Sequence, residues 1–154
     1  MKTIAMLDLG EFENLLKETV FSSLDKPSLE KLIPLFERRQ AERGEFIRQT
    51  DKESGSLYIV ENGLFALCDA DHSIIRTYRR GDCIGLLSTL FAGEQLLNTQ
   101  SIEESTFLTI DAGSLKMLEL SEPALALQLL RCIRTALSPI VHQSLRLMYQ
   151  LYQS

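Results

Sequence analysis

Cysteine and histidine are scarce in this chain, and what they could do is correspondingly narrow. Cys68, Cys83 and Cys132 are odd in number, far apart and without a CxxC pair. That excludes a disulfide framework or a cysteine-rich zinc site and leaves reduced, mostly buried thiols, as expected of a cytoplasmic protein. His72 and His142 are isolated, with no Cys, His or carboxylate at metal-ligand spacing. No metal and no Ser/His/Asp or Cys/His grouping follows from them, so no catalytic residue is assigned and enzymatic activity is not expected. Long apolar runs are missing too, as is an N-terminal basic segment followed by an apolar one, which argues against a membrane partner. A net charge of −5 without a basic stripe argues against nucleic acid. The most telling gap is local. No Lys or Arg occurs between Arg80 and Lys116, whereas Asp82, Glu94, Glu103, Glu104 and Asp111 do.

What is present reads as one domain over residues 1–154, long enough for a real core at 45% hydrophobic and 24% charged residues. Helices are predicted over about 10–34. Phe12, Leu15, Leu16, Thr19 and Val20 share one helical face, and Asp25 with Pro27 opens a second helix that Pro34 ends. Over about 36–110 the period changes to short strands, at Glu45–Arg48, Leu57–Val60, Leu64–Cys68, Ser73–Tyr78 and Thr106–Ile110. Asn62-Gly63 between two of them is the pair suited to a tight hairpin. Many short strands at this spacing point to a small barrel or jelly roll, so the fold class is α+β, mainly β.

From about 112–153 the pattern is helical again. Asp111 caps a short helix, and Ser121-Glu122-Pro123 opens a long one that Pro139 is expected to kink or split. In the long helix Ile133, Leu137, Ile140, Ser144, Leu147 and Leu151 recur at spacings of four and three. A second apolar line, Val141, Leu145, Met148 and Tyr152, adjoins it. Two lines exceed what one face of a barrel needs, so the first is read as the seam of a homodimer.

Gly81-Asp82-Cys83-Ile84-Gly85 places two glycines four residues apart after a strand, a turn able to aim backbone N–H groups at an anion. With Gly44-Glu45, Leu57-Tyr58-Ile59-Val60-Glu61-Asn62-Gly63, and Leu115 and Leu118 leading into the final helix, the ordered set from about Val20 to Leu137 resembles the cyclic nucleotide-binding domain family. That family includes effector domains of catabolite-activator-type regulators, kinase regulatory subunits and gated channels. The resemblance implies a jelly-roll-like β-roll, N-terminal helices and a long C-terminal helix. It also implies a cassette in which backbone N–H groups after the second glycine meet the cyclic phosphate, a Glu takes the ribose hydroxyl, and an Arg about ten residues on pairs with the phosphate.

Carried over by position, Gly85 matches the glycine, Leu86 stands at the Glu, Leu96 at the Arg and Leu97 at the small residue after it. Gly85, Leu86, Leu87, Ser88, Leu96 and Leu97 therefore make up the implied ligand pocket, in degenerate form. Losing one partner of a buried charge pair costs roughly 2–5 kcal/mol. That corresponds to about 30-fold to several-thousand-fold in affinity. A bound cyclic nucleotide is disfavoured, no other cofactor is implied, and the pocket is expected to fill with its own side chains. Arg80, Arg131 and Arg134 are the candidates for a compensating cation. No DNA-reading helix-turn-helix follows the closing helix in this sequence, so the expectation is a regulatory or interaction module acting through self-association or a protein partner. The alternative is a small-molecule sensor that still binds a cyclic nucleotide or another ligand and signals through its C-terminal helix.

Overall fold

Strand β4 (Leu57–Asn62) is apolar on both faces, and that sets the order of the layers. Leu57 and Ile59 pack into a cluster made with the helices, whereas Tyr58 and Val60 point into a second cluster between the sheets. The neighbouring β9 (Ser105–Ile110) alternates in the same way, Leu108 and Ile110 toward the helices and Phe107 toward the roll. Around these two strands the computed structural model describes residues 1–48, 55–86 and 97–153.

The order is β1 (Lys2–Ile4), α1 (Leu9–Lys17), α2 (Lys26–Leu32) with a 3-10 turn at Ile33–Leu35, β2 (Glu37–Ala41), β3 (Phe46–Arg48), β4, β5 (Phe65–Cys68), β6 (Ile74–Tyr78), β7 (Cys83–Ile84), β8 (Asn98–Ser101), β9, α3 (Ala112–Ser121) and α4 (Pro123–Gln153). The strands form two antiparallel sheets, β1-β2-β9-β4-β7 and β3-β8-β5-β6, the jelly-roll-like β-roll that the pattern predicts. Strands β1, β2, β7 and β8 were not legible, because each is short, polar or lacks clean alternation.

The helices begin where the capping residues predict. Asp8 and Glu11 form a reciprocal capping box on α1, the Asp25 carboxylate accepts from the Ser28 amide at 3.0 Å, and Asp111 accepts from the Ser114 amide at 2.7 Å. Phe12, Leu15, Leu16, Leu29, Leu32, Leu125, Leu129 and Ile133 then close over the outer face of the first sheet. Each such aliphatic or aromatic side chain contributes roughly 1.5–3 kcal/mol when taken fully out of water.

Two expectations are corrected. Asn62-Gly63 does not turn a hairpin: β4 lies in one sheet and β5 in the other, so the pair is a corner between layers. Gly63 has φ +105°, and a Cβ there would fall 2.0 Å from the Ser105 hydroxyl oxygen, so the close approach of β9 as well as the dihedral demands glycine. Pro139 does not split the closing helix, since α4 runs unbroken through it. Instead Pro139 stands where burial ends: every described residue from Ser138 onward is exposed.

Candidate functional site

Strand β7 carries the cassette's first half and is held by β4, with Ile84 opposite Tyr58 and Cys83 opposite Ile59. The alternation of β7 divides its side chains between the two cores. Ile84 enters the roll, whereas Cys83 packs against the helices. Burial there pushes the Cys83 thiol up to about 12. Gly81 and Gly85, at φ +87° and +94°, make the turns on either side of β7. At Gly81 a Cβ would come within 2.8 Å of the Glu18 carbonyl oxygen, so α1 sits directly over this turn. Leu86 follows Gly85 and packs into the helical core rather than toward the roll. Leu97 is half-buried just before β8. Leu87, Ser88 and Leu96 lie outside the described residues.

The three candidate cations are placed elsewhere. Arg80 donates from Nε to Glu18 at 2.8 Å and from Nη1 to the Glu61 carbonyl at 3.0 Å, which ties the end of α1 to β4. As a half-exposed pair it is worth at most about 1 kcal/mol. Arg131 lines an open groove of about 460 Å³ between α4 and the Val20–Asp25 stretch, beside Ser23 and Cys132. Arg134 is exposed on α4.

The predicted seam divides in the same way. Ile133 is 4% exposed and Leu137 7%, both within the chain's own helical core, so these two do not face a partner. Ile140, Ser144, Leu147 and Leu151 are exposed, as are Val141, Leu145, Met148 and Tyr152. Helix α4 is also the one described helix long and apolar enough to cross a membrane, with mean hydropathy 1.4 over its best window. That revises the reading that no apolar stretch approaches a membrane span. Its first half nonetheless buries Leu125, Ala126, Leu129 and Cys132 in the core.

Inside the roll lie residues that the sequence reading missed. Phe65 meets Phe107 edge-on at 5.7 Å between centroids, and Tyr58 tilts against Phe107 at 5.9 Å. With Val60, Tyr78 and Ile84 they fill much of the space between the sheets. Two arginines stand beside these tyrosines, and one of them, Arg76, is exposed to solvent. The Arg76 guanidinium stands 5.0 Å above the Tyr78 ring, and Arg48 lies near both Tyr58 and Tyr78. Burial pushes both phenols up and pushes Arg48 down from its ordinary value. Opposite Arg48 and Leu67, the hydroxyl of Thr99 is fully buried and has no hydrogen-bond partner among the described residues. Alternation along β6, which sets Arg76 and Tyr78 on one face, was the available signal for this group. Its weakness was that Arg76 lies ahead of the glycine cassette rather than within it. Among the described residues, no group of three His, Cys, Asp or Glu could hold a metal ion.

A glycine-bounded strand feeding a cassette, set into a two-sheet roll and closed by a long helix, agrees with the comparison of sequences. The family model for the cyclic nucleotide-binding domain matches residues 38–120, more than half of the chain. The chain belongs to this family. No curated protein matches it. Among solved structures it is similar to a cyclic nucleotide-binding domain from Methylobacillus flagellatus KT, with TM-score 0.79 and 14% identity, covering 99% of this chain and 89% of that one. It is also similar to the N-terminal domain of a transcriptional regulator from Streptomyces coelicolor A3(2), with TM-score 0.72 and 21% identity over 84% and 94% of the two chains. The regulatory domain of Toxoplasma gondii PKA, crystallised with cAMP, is a third, with TM-score 0.63 and 18% identity over 71% of this chain and 43% of that one. At these identities the likeness is one of fold.

Proposed function

We propose that this cyclic nucleotide-binding domain is a non-catalytic regulatory module that no longer grips a cyclic nucleotide in the usual way. Its output passes through the projecting half of α4 to a second copy of the chain. The observation that carries the first statement is the packing of Leu86. In this reading the position after Gly85 serves the helical core, and an acceptor for a ribose hydroxyl is replaced by a partly buried aliphatic side chain packed against that core. The engagement of Arg80 by Glu18 supports it, because that cation is already committed. For assembly, the support is the run of exposed apolar side chains from Ile140 to Tyr152. Isothermal calorimetry with cyclic AMP and cyclic GMP should give no saturable heat at micromolar ligand, and micromolar binding of either would sink the reading. Substituting Asp for Leu147 and Leu151 should halve the mass seen by light scattering, and an unchanged mass would remove the second copy.

A ligand sensor is the second reading, favoured by Arg76 and Arg48 standing at the inner tyrosines. In that case a cyclic nucleotide would be met from the strands rather than the cassette. Binding in the calorimeter that is lost in Arg76→Gln would select this reading over the first.

A further inference from the structure

A second cavity, of about 260 Å³, opens between the sheets at the end of β2 away from Ala41. Its walls include Met1 (its ammonium group already paired with Glu45), Glu37 and Arg39 of β2, Ser56 and Tyr58 of β4 and its approach, Thr109 of β9, and Asp111 at the start of α3. None of the cassette residues described above takes part in it. The inward placement of Arg39 follows from register: it pairs with Phe107, whose ring lies inside the roll.

Arg39 is the unusual member. Its Nε is fully buried and has no hydrogen-bond partner among the described residues. None of the ion pairs found among the described residues includes it. A buried guanidinium N–H without an acceptor is costly, because it has lost water and gained nothing in return. The two carboxylates of the cavity each accept one hydrogen bond, Glu37 from the Thr3 hydroxyl at 2.6 Å and Asp111 from the Ser114 amide at 2.7 Å. Both keep further acceptor capacity, and neither is in an ion pair with Arg39.

A simple anion would satisfy Arg39 but meet the carboxylates of Glu37 and Asp111 in the same space. A simple cation would meet the reverse difficulty. A molecule carrying both signs suits all three, with its carboxylate on the Arg39 fork and its ammonium group toward Glu37 and Asp111. We propose that this cavity is a binding site for a small zwitterion of the amino-acid class, held by Arg39 at its carboxylate end and by Glu37 and Asp111 at its ammonium end. The occupant would touch the residue that caps α3, and α3 leads directly into α4, so occupancy biases the helix through which the module signals. The site stands independently of whether the cassette binds a nucleotide.

The test is a titration of the isotope-labelled chain, followed by backbone amide shifts, with L-alanine, L-serine and L-glutamine as probes. Acetate and ethylammonium serve as the two half-ligands at matched ionic strength. At least one amino acid should give saturable shifts at Arg39, Tyr58 and Thr109, with an affinity about tenfold or more above either half-ligand. Arg39→Met should abolish these shifts, and Arg39→Lys, which keeps the charge but loses the fork, should weaken them. Each variant is first checked by thermal melting. The proposal is overturned if no amino acid saturates, if acetate alone matches the best of them, or if a folded Arg39→Met or Arg39→Lys binds as well as the parent.

Discussion

The two halves of α4 carry the same kind of sequence and meet opposite fates. Up to Leu137 one apolar face is core: Leu125, Ala126, Leu129, Ile133 and Leu137 are all buried in the cluster shared with the sheet and the first helices, while Leu127 and Leu130 stay exposed. Beyond Pro139 the same spacing of four and three continues through Leu147, 54% exposed, and Leu151, 75% exposed. Periodicity identifies an apolar face; it does not say what covers it. The first half is covered because α1 and α2 lie across it, and the second has outrun the body of the domain.

Cutting both halves back is the strongest way to break this comparison. Ile133→Ala should destabilise the fold by roughly 2–5 kcal/mol. Leu147→Ala should move it by no more than about 0.5 kcal/mol in dilute solution, where assembly makes no contribution. Urea unfolding measures both, and equal effects would show that the projecting half is structurally engaged. The junction offers a sharper probe. Pro139 lacks a backbone donor in a helix interior, which costs up to about 3 kcal/mol relative to Ala. Pro139→Ala should therefore slow amide hydrogen exchange in residues 140–153 while leaving exchange around Leu129 unchanged.

Cys83 tests the surface on which the buried half rests. Its thiol titrates at about 12 in the folded chain, against 9.0 ordinarily, because burial penalises the thiolate. Between those values the unfolded chain gives up the proton that the folded chain keeps, so the unfolded state binds fewer protons. The contribution is fully present below about pH 9 and falls by up to about 1.4 kcal/mol per pH unit as pH rises toward 12. Cys83→Ala should flatten that slope relative to the parent in alkaline unfolding curves, and parallel curves would mean the thiol is not held in the core. The smallest effect belongs to the Arg80–Glu18 pair, where Glu18→Gln should cost at most about 1 kcal/mol, and less at high salt.

Much of the fold was legible because its signals are local. Asp25, Asp111 and Pro123 mark helix starts through chemistry within one turn, and the alternation of β4 and β9 predicts strands wherever they pair. The candidate site was legible only as a cassette. The turn at Gly81–Gly85 is a local feature, but whether Leu86 faces a pocket or a core depends on which layer receives that side of β7. Arg80 carried no sign that Glu18, 62 positions away, would claim it. Arg39 and Arg48 were overlooked for the same reason, since a charged residue in a short strand reads as solvent-facing until the second sheet closes over it.

Composition, caps and period thus determined by themselves the helix–roll–helix order, the strands with clean alternation and the absence of a basic residue across the cassette. Tertiary structure alone decided where Asn62-Gly63 leads, which half of α4 is core and that Arg39 and Arg48 are drawn into the roll. The physical reason is one of range. Backbone preference and capping act over a few residues, whereas burial depends on partners brought together from opposite ends of the chain.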